Sequence, residues 1–434
     1  MSYQEISPSE VELGMYVRLP VSWWKHPFAR NAFRVQSSKD LTILKELDLK
    51  VIEYDPEKSS SEDSLNEQNR PSEPILPPAP GGSALREFDP EIKAQAAKKE
   101  RQLEFLKQRR QSLARREQEY SHAFTEVTHI IKSIDADPEA SVASAQGLMT
   151  NVVDTMLHDE EAVVHLIHLK ERDTVTYFHS LNVCILSLIL GKKMGLSMAE
   201  LNELGLAALF HDIGKQKIPT KILLKMGPLT KAEEKYLRLH PRYGLSLLAG
   251  NPNVTPRVLQ VVYQHHERCD GKGYPQGLTE HNISYLAKIT SVVNVYDNLI
   301  NQERKGHSYT PHEALSFLYT QIEGLSKEIV SIFIKSLGVY PPGTLVELSD
   351  RTLGMVITTD PILSMKPTVI LYDERVPREE PFIINLADED EVSIARCLRP
   401  SEVPAQVITY LQPGRMVGFF VGSLASADRK PKRV

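Results

Sequence analysis

The chain has 434 residues, 41% hydrophobic and 25% charged, the composition of a globular protein with more than one domain. A net charge of −5 removes any bulk electrostatic argument for a nucleic-acid polymer as partner. Three widely spaced cysteines, Cys184, Cys269 and Cys397, give neither a disulfide framework nor a zinc knuckle, which fits a reducing compartment. The N-terminus lacks the basic start and apolar run of a signal peptide. The longest apolar run, Val183 to Leu190, is far too short for a bilayer, so a cytoplasmic protein with no membrane span is expected.

Residues 1–57 read as a small α+β regulatory domain: β-type runs at 16–19, 33–35 and 51–54, a helix over 39–47, and an aromatic group Trp23, Trp24 and Phe28. A flexible linker is expected over 58–89, where Ser, Glu, Asn and Pro dominate. A long helix follows at 90–135. Ile92, Ala96, Leu103, Leu106, Leu113, Tyr120, Phe124, Val127, Ile131 and Ile134 alternate in steps of four and three, with Lys99, Arg110 and Glu117 interrupting the seam. That seam fits either a homodimer coil or a helix laid against its own chain.

From 140 to 340 the pattern is helical, with helices at 160–170, 176–194, 198–212, 231–248, 255–266, 284–302, 311–320 and 326–337. Thr230 to Glu233 forms a capping box, and Thr310-Pro311 an N-cap with proline at N1. Strand patterns at 344–348, 354–358 and 368–372 mark a β-rich appendage over 341–411, and 426–434 is a basic tail expected to be disordered. The fold class is therefore mainly α: a helical bundle preceded by a small α+β domain and a long helix, and followed by a small β appendage.

The chemistry concentrates between His211 and Pro275. His211-Asp212 ends one helix with Lys215 three positions on, His179 lies on the preceding helix, and His240, His265 and His266 follow. One His–Asp pair is weak evidence, but this set is strong. Adjacent His211 and Asp212 cannot point the same way from a helix, so they address neighbouring ions or opposite sides of one. Asp212 can bridge two cations with its two oxygens while imidazoles fill the outer positions. Lys215 then lies beside a phosphate oxygen or the attacking water. A nitrogen-rich site with oxygen bridges suits iron, manganese or a related divalent ion more than magnesium. Among the other histidines, His122, His129, His158, His165, His281 and His312 read as ordinary core or surface residues, and His168 is ambiguous.

These residues resemble the HD-GYP family, the cyclic di-GMP phosphodiesterase branch of the HD superfamily. His179-Ser180, His211 to Lys215, Ile218-Pro219, His240-Pro241, His265 to Arg268 and Asp270-Gly271-Lys272-Gly273-Tyr274-Pro275 carry the resemblance, over roughly 150–340. Gly14 to Val17 and His26-Pro27-Phe28 resemble the domain often fused ahead of such enzymes. The resemblance implies an HD-type helical bundle in which a metal-bridging hydroxide opens cyclic di-GMP to pGpG or GMP. Asp212 and Lys215 are then catalytic. His179, His211, Asp212, His240, His265, His266 and Asn294 hold metal. Arg268, Asp270, Gly273, Tyr274, Pro275, Arg304 and Lys305 meet the substrate.

Four positions depart from the family. Asn294 stands where the family carries its last metal aspartate, with Asp297 three residues on. Glu303 and Gly306 stand where an Arg and a Lys are expected for the phosphates, with Arg304 and Lys305 beside them. Val175 stands where members with three metals carry a Glu, so two metals are the most expected. Two readings follow: a cyclic di-GMP phosphodiesterase, or a weakly active or non-catalytic receptor that signals to a partner such as a diguanylate cyclase domain.

Overall fold

The computed structural model describes residues 3–20, 32–47, 49–59, 120–158, 162–166, 175–225, 227–301, 309–320, 323–359, 363–374, 381–389, 392–411 and 417–421, with positions 26, 28, 104, 376 and 378. The expected linker beyond Ser59, Trp23 and Trp24, the seam before Tyr120, Arg304 and Lys305, and the basic tail lie outside the described residues. Two compact units emerge: residues up to Arg109 together with Tyr372–Phe382, and the remainder.

In the first unit β1 (Gln4–Ile6), β2 (Tyr16–Arg18), β3 (Ala32–Arg34) and β4 (Ile52–Asp55) form a sheet in the order β1-β4-β2-β3. Its pairs are antiparallel, with Val17 opposite both Phe33 and Tyr54. Helix α1 (Ser38–Glu46) starts from Ser37, whose side chain caps Asp40 while Asp40 caps back. A single turn, α2 (Pro56–Ser59), follows β4. Val11, Val17, Leu19, Val35, Leu44 and Ile52 make the core, and Phe28 stacks on Phe33 at 4.3 Å. Arg18 pairs with Asp373 at 2.6 Å.

The second unit opens with α3, residues 120–133. Tyr120, Val127, Ile131 and Ile134 are all buried in the unit's own core. Over the described stretch the seam is therefore spent within the chain and presents no dimer face there. Helix α4 (Pro138–His158) and β5 (Ala162–Leu166) follow. The helix expected over 160–170 is thus corrected to a strand, paired in antiparallel register with β11 (Val417–Val421). The Val163-Val164 pair suits an extended backbone, and the partner strand lies too far along the chain for local periodicity to reveal it.

Helix α5 (Val175–Lys193) is the axis of the bundle, buried on nearly every side and packed against α6 (Met198–Phe210), α11 (Tyr285–Asn301) and α13 (Lys327–Leu337). Between α6 and α11 come α7 (Thr220–Leu223), α8 (Lys231–Leu237), α9 (His240–Leu248) and α10 (Pro256–Gln264); α12 (Pro311–Thr320) precedes α13. The single helix expected over 231–248 is two. Pro241, with no N–H and a ring that clashes with the preceding turn, starts a new helix at His240.

The β appendage is an antiparallel sheet in the order β10-β6-β7-β8-β9, built from β6 (Leu345–Leu348), β7 (Leu353–Thr358), β8 (Thr368–Leu371), β9 (Phe382–Asn385) and β10 (Ile394–Leu398). Helix α14 (Ala405–Leu411) closes it. The mainly helical fold class with a small α+β front unit and a β appendage is as the sequence indicates. No helix among the described residues is long and apolar enough to cross a membrane.

Candidate metal centre

Four chain segments converge on Asp212. Helix α6 ends at His211, and the backbone leaves the helix at Asp212 (φ −101°, ψ 7°) for a 3-10 turn, Ile213–Lys217. This departure overturns the expectation that His211 and Asp212 must point apart: His211 Nε2 lies 3.3 Å from Asp212 Oδ2. His179 Nε2 from α5 reaches the same oxygen at 3.4 Å. The other oxygen, Oδ1, faces His240 Nε2 at 3.2 Å and His265 Nε2 at 3.7 Å. Two groups result, His179-His211-Asp212 and Asp212-His240-His265-His266, sharing one carboxylate.

Gly214 lets α9 come this close. A Cβ there would sit 2.0 Å from the His240 carbonyl oxygen and 2.4 Å from the Gly244 nitrogen. Three rings are then fixed the same way. His211, His240 and His265 each donate Nδ1–H to the carbonyl three residues back, Ala208, Leu237 and Val262, at 2.7, 2.8 and 2.9 Å. A carbonyl only accepts, so the proton is on Nδ1 and each Nε2 presents a lone pair to the centre.

Burial, which penalises the charged form, holds His211, His240, His265 and His266 below the ordinary histidine value. Burial would raise the Asp212 carboxyl, but the charges of Lys215 and the histidines hold it well below the usual range. Asp212 Oδ1 is buried and receives no hydrogen bond. It faces lone pairs on His240 and His265, whose own Nε2 atoms stand 3.2 Å apart. Such a convergence is costly unless a cation sits among the donors, and imidazole nitrogens with a shared carboxylate are the donor set a divalent transition ion takes. The residues present fit the group.

His179 is held differently. Its Nδ1 donates to Asp297 Oδ2 at 2.6 Å, and Asp297 Oδ1 also accepts from Asn182 at 3.2 Å and Asn301 at 2.9 Å. Asp297 is therefore an orienting carboxylate for His179. Burial disfavours the His179 imidazolium, but the carboxylates of Asp212 and Asp297 outweigh it and raise the ring to about 9 in the metal-free chain.

A raised histidine adds stability that is complete below its unfolded value near 6.5 and lost as pH rises through about 9. The four depressed histidines add stability above 6.5 that is lost on the acid side. With chelator present, urea midpoints are expected to peak near pH 6.5 and to decline towards pH 9. A midpoint that climbs from pH 6.5 to 9 contradicts the assignment.

Asn294 is buried on α11, and its side-chain oxygen accepts from Asn298 Nδ2 at 2.7 Å. Lys215 Nζ pairs with Asp212 Oδ2. Tyr274 stacks on His266 with ring centres 4.6 Å apart and planes 19° apart, and Arg238 lies 5.2 Å from its ring centre.

Arg268 is bound within the protein. It grips Asp270 through two nitrogens, at 2.6 and 3.1 Å, and also donates to the Glu323 carbonyl. Gly273 approaches the chain itself: a Cβ there would meet Arg268 N at 2.3 Å and Glu267 Cα at 2.5 Å. Glu267, part of the motif but without a role assigned from sequence, is buried here. Its buried carboxylate accepts from the backbone of Gln276 at 2.6 Å and Leu278 at 2.9 Å, tying down the loop around Pro275. A cleft of about 390 Å³ is lined by Lys132, Asp135, Tyr177, Ser180, Asp212 and Lys215, among others.

An HD domain model matches residues 154–322, and a model described only as a domain of unknown function, DUF3391, matches 3–145. The chain is 31% identical over 362 residues to a cyclic di-GMP phosphodiesterase of Pseudomonas aeruginosa, covering 82% of this chain and 81% of that protein. The chain belongs to the HD-GYP family. A second relative, the cyclic di-GMP phosphodiesterase response regulator RpfG of Xanthomonas campestris pv. campestris, is 39% identical over 31% of this chain and 35% of its own. A cyclic di-GMP phosphodiesterase of Thermotoga maritima is 34% identical over 38% of this chain and 45% of its own. As an HD-GYP protein the chain keeps His179, His211, Asp212, His240, His265 and His266 gathered in one centre.

Proposed function

We propose that the chain hydrolyses cyclic di-GMP to pGpG, GMP or both. The observation that carries this reading is Asp212, one buried carboxylate shared by two histidine groups, in a chain similar over most of its length to a cyclic di-GMP phosphodiesterase. His179, His211 and Asp212 would hold one ion, and Asp212, His240, His265 and His266 the other, with the Asn294 side-chain oxygen a further donor to the centre. Iron(II) and manganese(II) suit this set best. Bound there, such ions acidify a water for attack on phosphorus and offset the phosphate charge.

The chain's own groups do the rest. Lys215, paired with Asp212 in the metal-free chain, would donate to a phosphate oxygen of the substrate. Tyr274 offers a face for guanine, fixed from behind by His266. Arg268, Asp270, Gly273 and Pro275 shape the loop that carries it. Arg304 and Lys305 supply phosphate cations beyond α11, and Lys132, in the cleft beside Lys215, offers another.

Asn294 favours a slow enzyme, since an amide oxygen brings no charge to the ion and already accepts from Asn298. Asn294→Asp is expected to tighten metal binding about tenfold and to raise turnover at limiting metal, read from the Mn(II) dependence of the rate. An unchanged dependence places the deficit elsewhere.

The reading itself is tested by loading the purified chain with Fe(II) or Mn(II) under reducing conditions and separating the products of cyclic di-GMP by chromatography. Linear product is expected, and none above the level of a His211→Ala, Asp212→Ala double variant would refute it.

A further inference from the structure

Helix α3 makes a buried polar connection into the core of the second unit, and that connection ends on His179. The Tyr120 phenol donates to Asn182 Oδ1 at 2.9 Å. With its carbonyl held by that donor, the Asn182 amide must turn its nitrogen the other way, and it donates to Asp297 Oδ1 at 3.2 Å. Asp297 Oδ2 takes the Nδ1–H of His179 at 2.6 Å. Every member is buried: Tyr120 is 6% exposed, Asn182 2%, Asp297 0% and His179 9%. Breaking such a chain is costly at its first link, because loss of the phenol leaves the buried Asn182 carbonyl without its donor, while Asp297 Oδ1 keeps only Asn301 if the Asn182 amide turns away.

Apolar contacts from the same helix reach the same place. Phe178, the neighbour of His179, stacks on Phe124 at 3.7 Å with planes 8° apart, and lies parallel to Tyr120 at 6.5 Å. Burial, reinforced by the Asp297 charge, keeps the Tyr120 phenol well above its ordinary value, so it stays a donor. Tyr120 lies inside the stretch matched by the domain of unknown function, 3–145, whereas Asn182, Asp297 and His179 lie inside the HD match, 154–322. The chain of bonds crosses the border between the two family models.

We propose that Tyr120 is a positioning residue for His179, through which α3 sets the metal affinity of the His179–His211 half of the centre. The inference rests on the reading that His179 holds metal. A shift of α3 that withdraws the phenol orphans the Asn182 carbonyl, frees the amide to rotate, takes a donor from Asp297 and loosens the His179 ring. By reciprocity, an ion bound at His179 tightens the hold on α3. In the half of the centre built by His240, His265 and His266, the His240 and His265 rings take their orientation from backbone carbonyls, and that half stays outside this control.

The test is calorimetric titration of the full-length metal-free chain with Mn(II), which resolves the two classes of site, for wild type, Tyr120→Phe and Phe124→Leu. Tyr120→Phe is expected to weaken one class about tenfold, the scale of losses behind a ligand, and to leave the other within twofold. Phe124→Leu, which thins the same packing without touching the hydrogen bonds, is expected to lower Tm with both affinities kept. Equal weakening of both classes by Tyr120→Phe, or no weakening, overturns the proposal. If Tyr120→Phe does not fold, Asn182→Leu removes the same link and is read by the same criteria. A wild-type chain that takes up no Mn(II) overturns the metal reading together with this one. Two tight ions in wild type and in Tyr120→Phe alike overturn this one alone.

Discussion

Asp212→Ala is expected to lower cyclic di-GMP hydrolysis at least about a thousandfold, a loss of roughly 4 kcal/mol of transition-state stabilisation. The size follows from geometry. Asp212 is 3% exposed, its Oδ2 lies within 3.4 Å of His179 and His211, and its Oδ1 faces His240 and His265. No other carboxylate among the described residues belongs to both histidine groups. Its removal takes a ligand from both ions at once and leaves imidazoles alone to hold two positive charges. A histidine variant such as His240→Ala strips only one group and is expected to cost less. Steady-state rates of the Mn(II)-loaded variants, with metal content measured on the same samples, check the order. An Asp212→Ala enzyme within tenfold of wild type contradicts the shared-carboxylate account.

Gly214→Ala is expected to be among the most destabilising single-methyl changes in the second unit, costing about 3 kcal/mol or more. The added carbon would lie 2.0 Å from the His240 carbonyl and 2.4 Å from the Gly244 nitrogen, both backbone atoms that cannot step aside alone. Helix α9 has to move as a body, and His240 moves with it, away from Asp212 Oδ1. The variant should therefore lose stability in urea and, in the fraction that folds, lose affinity at the His240 half of the centre first. Gly147, where a Cβ meets nothing within 4 Å, is the control: Gly147→Ala within α4 is expected to be neutral or mildly stabilising. Equal midpoints for the two variants would show that α9 does not rest on Gly214.

The gathering of His179, His211, Asp212, His240, His265 and His266 was legible because residue type and spacing alone mark them. Imidazoles beside a carboxylate on successive helices have few other uses. What held those rings was not legible. Asp297 meets His179 only because α5 packs on α11, and nothing local to either helix says so. Three of the other rings are oriented by backbone carbonyls, which every residue has.

Arg268 and Asp270, two residues apart on a loop that folds back on Glu267, pair with each other, and nothing in the motif announces that pairing. The strand β5 was hidden for a further reason. Its partner β11 follows a whole helical bundle and a sheet later in the chain. The break before His240 was visible in Pro241, and weighing its missing N–H above the apolar periodicity would have found it.

The central claim is that one carboxylate joins two metal sites. Anomalous diffraction from Mn(II)-loaded crystals tests it most directly. The account predicts two peaks per chain, each about 2–2.5 Å from a different oxygen of Asp212, one beside His179 and His211 and the other beside His240, His265 and His266. A single peak, or two peaks of which one lies away from Asp212, would contradict it.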